Sequence, residues 1–185
     1  MKNTNNASQN ALRSANERAN ALTKECLLEA LLRLMKKKKF DQIRVTELVK
    51  CAGVSRMAFY RNYSSIDQIL KEHFESIVEA LSASLEEEKY KNDMKLWYYD
   101  MFLFLKEHSQ VLEAILEATE GQLVSIHSIS KSLGLLKDDS QRVKYQYEAF
   151  SGAVRAILSE WIKNRCEGDI NLLADLCVSL QNLCS

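Results

Sequence analysis

Arg56, Met57, Tyr60 and Arg61 stand at i, i+1, i+4 and i+5, a spacing that puts all four on one face of a helix. Arginine can fork onto a guanine edge or onto phosphate oxygens, and a tyrosine hydroxyl can donate to phosphate. Methionine offers only apolar contact, as to a thymine methyl. Arg44 and Thr46 lie just upstream and could hold the flanking backbone, while Ser55 and Asn62 bound the same stretch. These residue types in this order point to a surface that meets a polyanion with bases to read.

Such a face needs a helix held clear of the body. Residues 46–63, TELVKCAGVSRMAFYRNY, contain what a helix-turn-helix requires. Leu48, Val49 and Ala52 give the first helix an apolar side, with Thr46 as its expected cap. Gly53 can take the positive φ of the turn, Val54 can fill the gap between helices, and Ser55 can satisfy a free N–H of the second. Ala58 and Phe59 then point inward.

The rest of the chain reads as all-α. It has 185 residues, no proline and five glycines, which disfavours turn-rich β architectures. Residues 1–20 lack apolar periodicity and read as a mobile tail. Thr23 is the expected cap of a helix carrying Leu27, Leu28, Leu31, Leu32 and Met35, which Lys36 to Lys39 close. The lysine run suits a helix C-terminus, and could equally flank phosphate. Ser65 and Gln68 resemble a capping box opening a long helix from Ile69 towards Leu85. Further helices are expected over Leu96–Leu105, Val111–Ala118, Leu123–Leu133, Val143–Trp161 and Leu172–Leu183. The expected domains are a tail over 1–20, a DNA-binding unit over 21–68 and a helical effector-binding and dimerisation unit over 69–185.

Net charge is zero, but its distribution is uneven. Residues 1–75 hold fourteen Lys/Arg against eight Asp/Glu, and residues 76–185 eleven against seventeen. Chance segregation of solvated charge would give the same split as a basic end that meets nucleic acid.

The stretch from Thr23 to about Leu70 resembles the DNA-binding domain of the tetracycline-repressor (TetR) family. AGVSRMAFYRNYSSIDQIL carries that family's Gly-Val-Ser, aromatic-Tyr and Ser-x-Asp/Glu-x-Leu signature. The resemblance implies a three-helix helix-turn-helix domain joined to a larger helical domain that dimerises and senses a ligand. It implies a transcription regulator, of repressor type, released from a palindromic double-stranded DNA operator by a small-molecule effector. Thr46, Ser55, Arg56, Met57, Tyr60 and Asn62 fall on family DNA-contact positions. Two positions depart: Ile66 stands where lysine is common, and Asn62 where His, Tyr or Phe is frequent. Both departures bear on affinity rather than fold. An adaptor or co-activator acting through a protein partner is the alternative reading.

Residues 147–176 resemble the family's last two helices. The resemblance makes Phe150, Val154, Ile157, Leu158 and Trp161, with Leu173, Leu176 and Leu180, a homodimer interface. The same stripes would serve as ordinary intrachain core. For a ligand, Trp97, Tyr98, Met101, Phe102 and Leu105 cluster on one helix, with Leu112, Ile115, Leu116, Leu123 and Ile126 on the next two. His108, Glu120, His127 and Tyr147 are nearby polar candidates.

No metal, cofactor or catalytic constellation is expected. His73, His108 and His127 are scattered without ligand spacing. Cys26, Cys51, Cys166, Cys177 and Cys184 form no CxxC pair and read as reduced thiols. No Gly-rich phosphate loop or nucleophile elbow occurs, which argues against an enzyme. No apolar run reaches the ~18 residues of a membrane span and the first twenty are polar, so a cytoplasmic location without a signal peptide is expected.

Overall fold

A computed structural model of the chain describes residues 3–119 and 140–184, with side chains described over 13–119 and 140–183. The described residues are all-α, as expected. Eight helices follow in order: α1 (Asn3–Met35), α2 (Val45–Ala52), α3 (Arg56–Asn62), α4 (Asp67–Ser84), α5 (Met94–Glu107), α6 (Ser109–Ala118), α7 (Gln141–Lys163) and α8 (Ile170–Cys184). Short 3₁₀ turns cover Phe40–Gln42 and Glu88–Tyr90. The helix expected over Leu123–Leu133 lies outside the described residues. The chain divides into two compact units, Met1–Lys71 and Glu72–Ser185, so α4 begins in one and ends in the other.

In the first unit α1 packs on α2 and α3, and α2 on α3. Leu27, Ala30, Leu31, Ile43, Leu48, Val49, Phe59, Tyr63, Ile69 and Leu70 form its core. The start of α1 differs from expectation: the helix begins at Asn3, within the stretch read as a tail. Residues 11–22 carry helix-favouring Ala, Leu, Arg and Glu without an apolar stripe, and periodicity reads burial rather than helix formation. Arg13 pairs with Glu17 one turn on, at 3.1 Å. Thr23 is therefore not a cap. It lies mid-helix, and its hydroxyl donates to the Ala19 carbonyl at 2.8 Å.

The capping box expected at Ser65 and Gln68 does not open α4, which begins at Asp67 with Ile66 just before it. The Gln68 side chain accepts the Ser64 N–H at 2.8 Å, one residue before Ser65. Ser64 and Gln68 are four residues apart, one more than the spacing of a capping box.

In the second unit α5 packs on α8 and on α6, α7 on α8, and α6 on α7. Phe102 meets Trp161 edge-on, with ring centroids 5.1 Å apart. Lys95 pairs with Asp175 at 2.7 Å, and the buried Tyr98 hydroxyl donates to Gln181 Oε1 at 2.9 Å, both linking α5 to α8. Beyond α7, Arg165 and Cys166 both take positive φ (57° and 55°). Among the described residues no helix is long and apolar enough to cross a membrane.

Candidate nucleic-acid interface and ligand cavities

Three local devices build the α2–α3 corner. Gly53 follows α2 with φ 68° and ψ 22°, the left-handed conformation that a side chain disfavours. The Gly53 N–H donates to the Lys50 carbonyl and the Val54 N–H to the Val49 carbonyl at 3.0 Å. This pair of bonds is the Schellman closure, and it satisfies two carbonyls that α2 would leave open. Ser55 then adopts extended backbone, and its Oγ accepts the Ala58 N–H at 3.0 Å. Phe59, fully buried, anchors α3 against the core.

The opposite face of α3 is bare. Arg56, Met57, Tyr60 and Arg61 are all exposed, Met57 at 76 % and Tyr60 at 53 %. An exposed methionine and a half-exposed tyrosine between two arginines on a seven-residue helix leave most of their surface open to a partner. Tyr60 packs its ring edge-on against Phe59, with centroids 5.1 Å apart, which restricts the direction of its hydroxyl.

The other expected contacts are placed as follows. Arg44 is exposed and immediately precedes α2 with extended backbone. Thr46 is exposed but lies inside the first turn of α2, so Arg44 and not Thr46 occupies the capping position, without a side-chain cap. Ser55 is exposed, and its oxygen is engaged as the cap. Asn62 is half-buried, and its side-chain nitrogen donates to the Ala58 carbonyl at 2.8 Å, within α3.

Sequence reading did not show how two cations of this unit are held. Lys24 sits over the Tyr63 ring, 5.6 Å from its centroid. Lys38, from the lysine run, pairs with Glu47 of α2 and donates to the Gln42 carbonyl at 3.1 Å. That ion pair ties the turn after α1 to the first turn of α2. No sequence signal marks it, because the partners meet only across the 3₁₀ turn.

The ligand candidates divide. Trp97, Tyr98, Met101, Leu105 and Leu112 line a wholly apolar cavity together with Phe74, Ile77, Val78 and Leu81 of α4 and Phe150, Val154, Leu158 and Ile162 of α7. Phe102, Leu116 and Tyr147 are buried but do not line it. The cavity measures only ≈ 40 Å³, space for one or two waters and far below the ~300 Å³ or more of an organic-ligand pocket. The α4 contribution was missed because its apolar stripe reads as ordinary core. Leu123, Ile126, Glu120 and His127 lie outside the described residues.

The expected dimer stripe also divides, by burial. Phe150, Val154, Leu158 and Trp161 are buried inside the single chain, so they belong to its core and not to a surface. Ile157, Leu173 and Leu180 are half-buried, and Leu176 is 44 % exposed. Leu172 and Leu183, also on α8, are exposed at 57 % and 81 %.

The histidines expected to be scattered are in part paired. His73 of α4 and His108 at the α5–α6 junction lie with ring centroids 5.8 Å apart, and Phe104 packs on His108 at 4.7 Å. Burial, then the neighbouring His108, pushes the His73 imidazole below its ordinary range. Cys166 and Cys177 are buried, and burial raises their thiols to about 11 and about 12, so neither forms a thiolate near neutrality. Among the described residues no group of three or more His, Cys, Asp or Glu is placed to hold a metal ion.

Residues 27–73 match the family model described as bacterial regulatory proteins, tetR family. No curated protein matches the chain. The matched segment runs from the core of α1 through the α2–α3 corner into α4, and it contains every exposed residue of the α3 face. The chain thus carries a tetR-family helix-turn-helix, which supports a DNA-binding transcription regulator.

Proposed function

We propose that this protein is a homodimeric, one-component repressor that reads a palindromic operator with α3 and is released by a small molecule bound in its second unit. One observation carries the reading: Arg56, Met57, Tyr60 and Arg61 are all exposed on a short helix whose start is fixed by Gly53 and Ser55. Arg56 and Arg61 are assigned to guanine or phosphate, Tyr60 and Ser55 to phosphate, and Met57 to a thymine methyl. Arg44 and Thr46 flank them on the backbone. Asn62 is assigned a supporting part, because its amide already serves α3.

A two-fold dimer places two α3 helices one or more helical turns apart on DNA. The exposed leucines of α8 support a self-complementary face, with Leu172, Leu176 and Leu183 joined by half-buried Ile157, Leu173 and Leu180. The test is selection of bound duplexes from a random library, followed by titration at two salt concentrations. A recovered palindrome whose affinity falls steeply with salt is the expected result. No enrichment over random duplex, with Arg56→Ala leaving an isolated protein partner bound, would instead establish the adaptor.

A further inference from the structure

A second cleft opens beside the apolar cavity, between the end of α4, the Glu88–Tyr90 turn and α5. Its volume is ≈ 280 Å³, close to the lower bound for small organic ligands. Leu81, Trp97 and Met101 line both spaces, and Ala80 and Phe104 extend the apolar wall. The Trp97 indole N–H donates to Ser84 Oγ at 3.0 Å, so the ring presents only its hydrocarbon surface. The remaining wall is acidic and aromatic, formed by Glu87, Asp100 and Tyr90.

The chain's own cation marks what these groups accept. The Lys89 ammonium lies 3.4 Å from Glu87 Oε2, 3.6 Å from Asp100 Oδ2 and 4.4 Å from the centroid of the Tyr90 ring. The Tyr90 hydroxyl donates to Asp100 Oδ2 at 2.8 Å, which fixes both the ring and the carboxylate. Two carboxylates against one ammonium leave the site with an excess negative charge. The Lys89 side chain is 51 % exposed, and ion pairs this accessible hold only weakly. Lys89 can therefore swing into water and yield its position.

We propose that this cleft binds an organic cation, a tertiary or quaternary ammonium on an aromatic body. Its charged head takes the place of the Lys89 ammonium between Glu87, Asp100 and the Tyr90 ring. Its body lies against Leu81, Trp97, Met101 and Phe104. The aromatic face and the carboxylates both favour a cation, and an anionic ligand would meet repulsion. That the cation acts as an effector rests on the regulator reading above, whereas its binding does not.

The test is isothermal titration of the full chain, without DNA, with benzyltrimethylammonium. N-benzylacetamide and phenylacetate serve as neutral and anionic comparisons. The cation should bind about tenfold tighter than either. Lys89→Met should tighten it further by removing the internal competitor, and Glu87→Gln should weaken it several-fold. Glu87 is on the surface and its replacement keeps the fold, while Asp100→Asn also weakens the Tyr90 bond by removing the acceptor's charge and is read only alongside a thermal melt. Absence of saturable binding to both wild type and Lys89→Met overturns the proposal. So does equal binding of the neutral compound, or a Lys89→Met variant that binds less well. A chain that binds the cation but selects no DNA retains the cleft and discards the regulator reading.

Discussion

The Val54 N–H donates to the Val49 carbonyl at 3.0 Å, and the Cys166 N–H makes the same six-to-one bond to Trp161 at 2.9 Å. In both turns the preceding residue is left-handed, Gly53 with φ 68° and Arg165 with φ 57°. Each is completed by a second bond, Gly53 N–H to Lys50 and Arg165 N–H to Ile162. One closure thus ends α2 with the residue that suits it and ends α7 with one that does not.

Opposite substitutions should therefore have opposite effects. A Cβ at Gly53 would meet no atom within 4 Å, so Gly53→Ala adds backbone strain alone and should destabilise by about 1 kcal/mol. Arg165→Gly relieves that strain at an exposed site and should stabilise by roughly 0.5–1 kcal/mol. Denaturant melts of both variants check the signs, and a stabilising Gly53→Ala would contradict the account.

The α3 face should separate binding from stability. Arg56→Ala removes an exposed side chain and should leave the melting temperature unchanged while weakening DNA binding by about 1–3 kcal/mol. Ser55→Ala should lower both, losing about 1 kcal/mol of stability with the cap. Paired melts and DNA titrations distinguish the two patterns.

Stability should fall in mild acid. The folded pKa of His73 lies below its ordinary value of 6.5, first through burial and then through His108, although Glu72 opposes the shift. Both states carry the neutral imidazole well above pH 6.5, so nothing is gained or lost there. As pH falls through 6.5 the unfolded chain takes up the proton more readily, and stability declines until pH passes the folded pKa. His73→Gln should flatten this slope, as read from melting temperatures between pH 7.5 and 5.5.

The α8 leucines should govern assembly. Leu176→Glu places a charge among exposed apolar side chains and should convert a dimer to a monomer in sedimentation, with little effect on the melt of the monomer itself. Leu158→Ala, by contrast, opens the buried core beside the cavity and should destabilise by about 2–5 kcal/mol.

Much of the fold was legible because its signals are local. The α2–α3 corner depends on residues within a few positions of each other, so glycine, a capping serine and the spacing of Leu48, Val49 and Phe59 suffice to define it. The errors arose where helix ends are set by something other than the strongest local match. Thr23 and Thr46 are good capping residues that fell inside helices, and α1 opens at Asn3, far ahead of the apolar stripe that starts at Leu27.

What the sequence by itself determined, then, was the all-α class, the shape of the recognition corner and the four side chains its outer face would carry. Only the tertiary structure decided which apolar stripes face inward. Phe150, Val154, Leu158 and Trp161 have the spacing of an interface and of a core alike, and helical periodicity records a buried face without recording what buries it. It alone joined His73 to His108, and brought Lys89, Glu87 and Tyr90 of one short turn against Asp100 of the next helix. Such pairings depend on how helices pack, and packing is a property of the whole chain rather than of any segment.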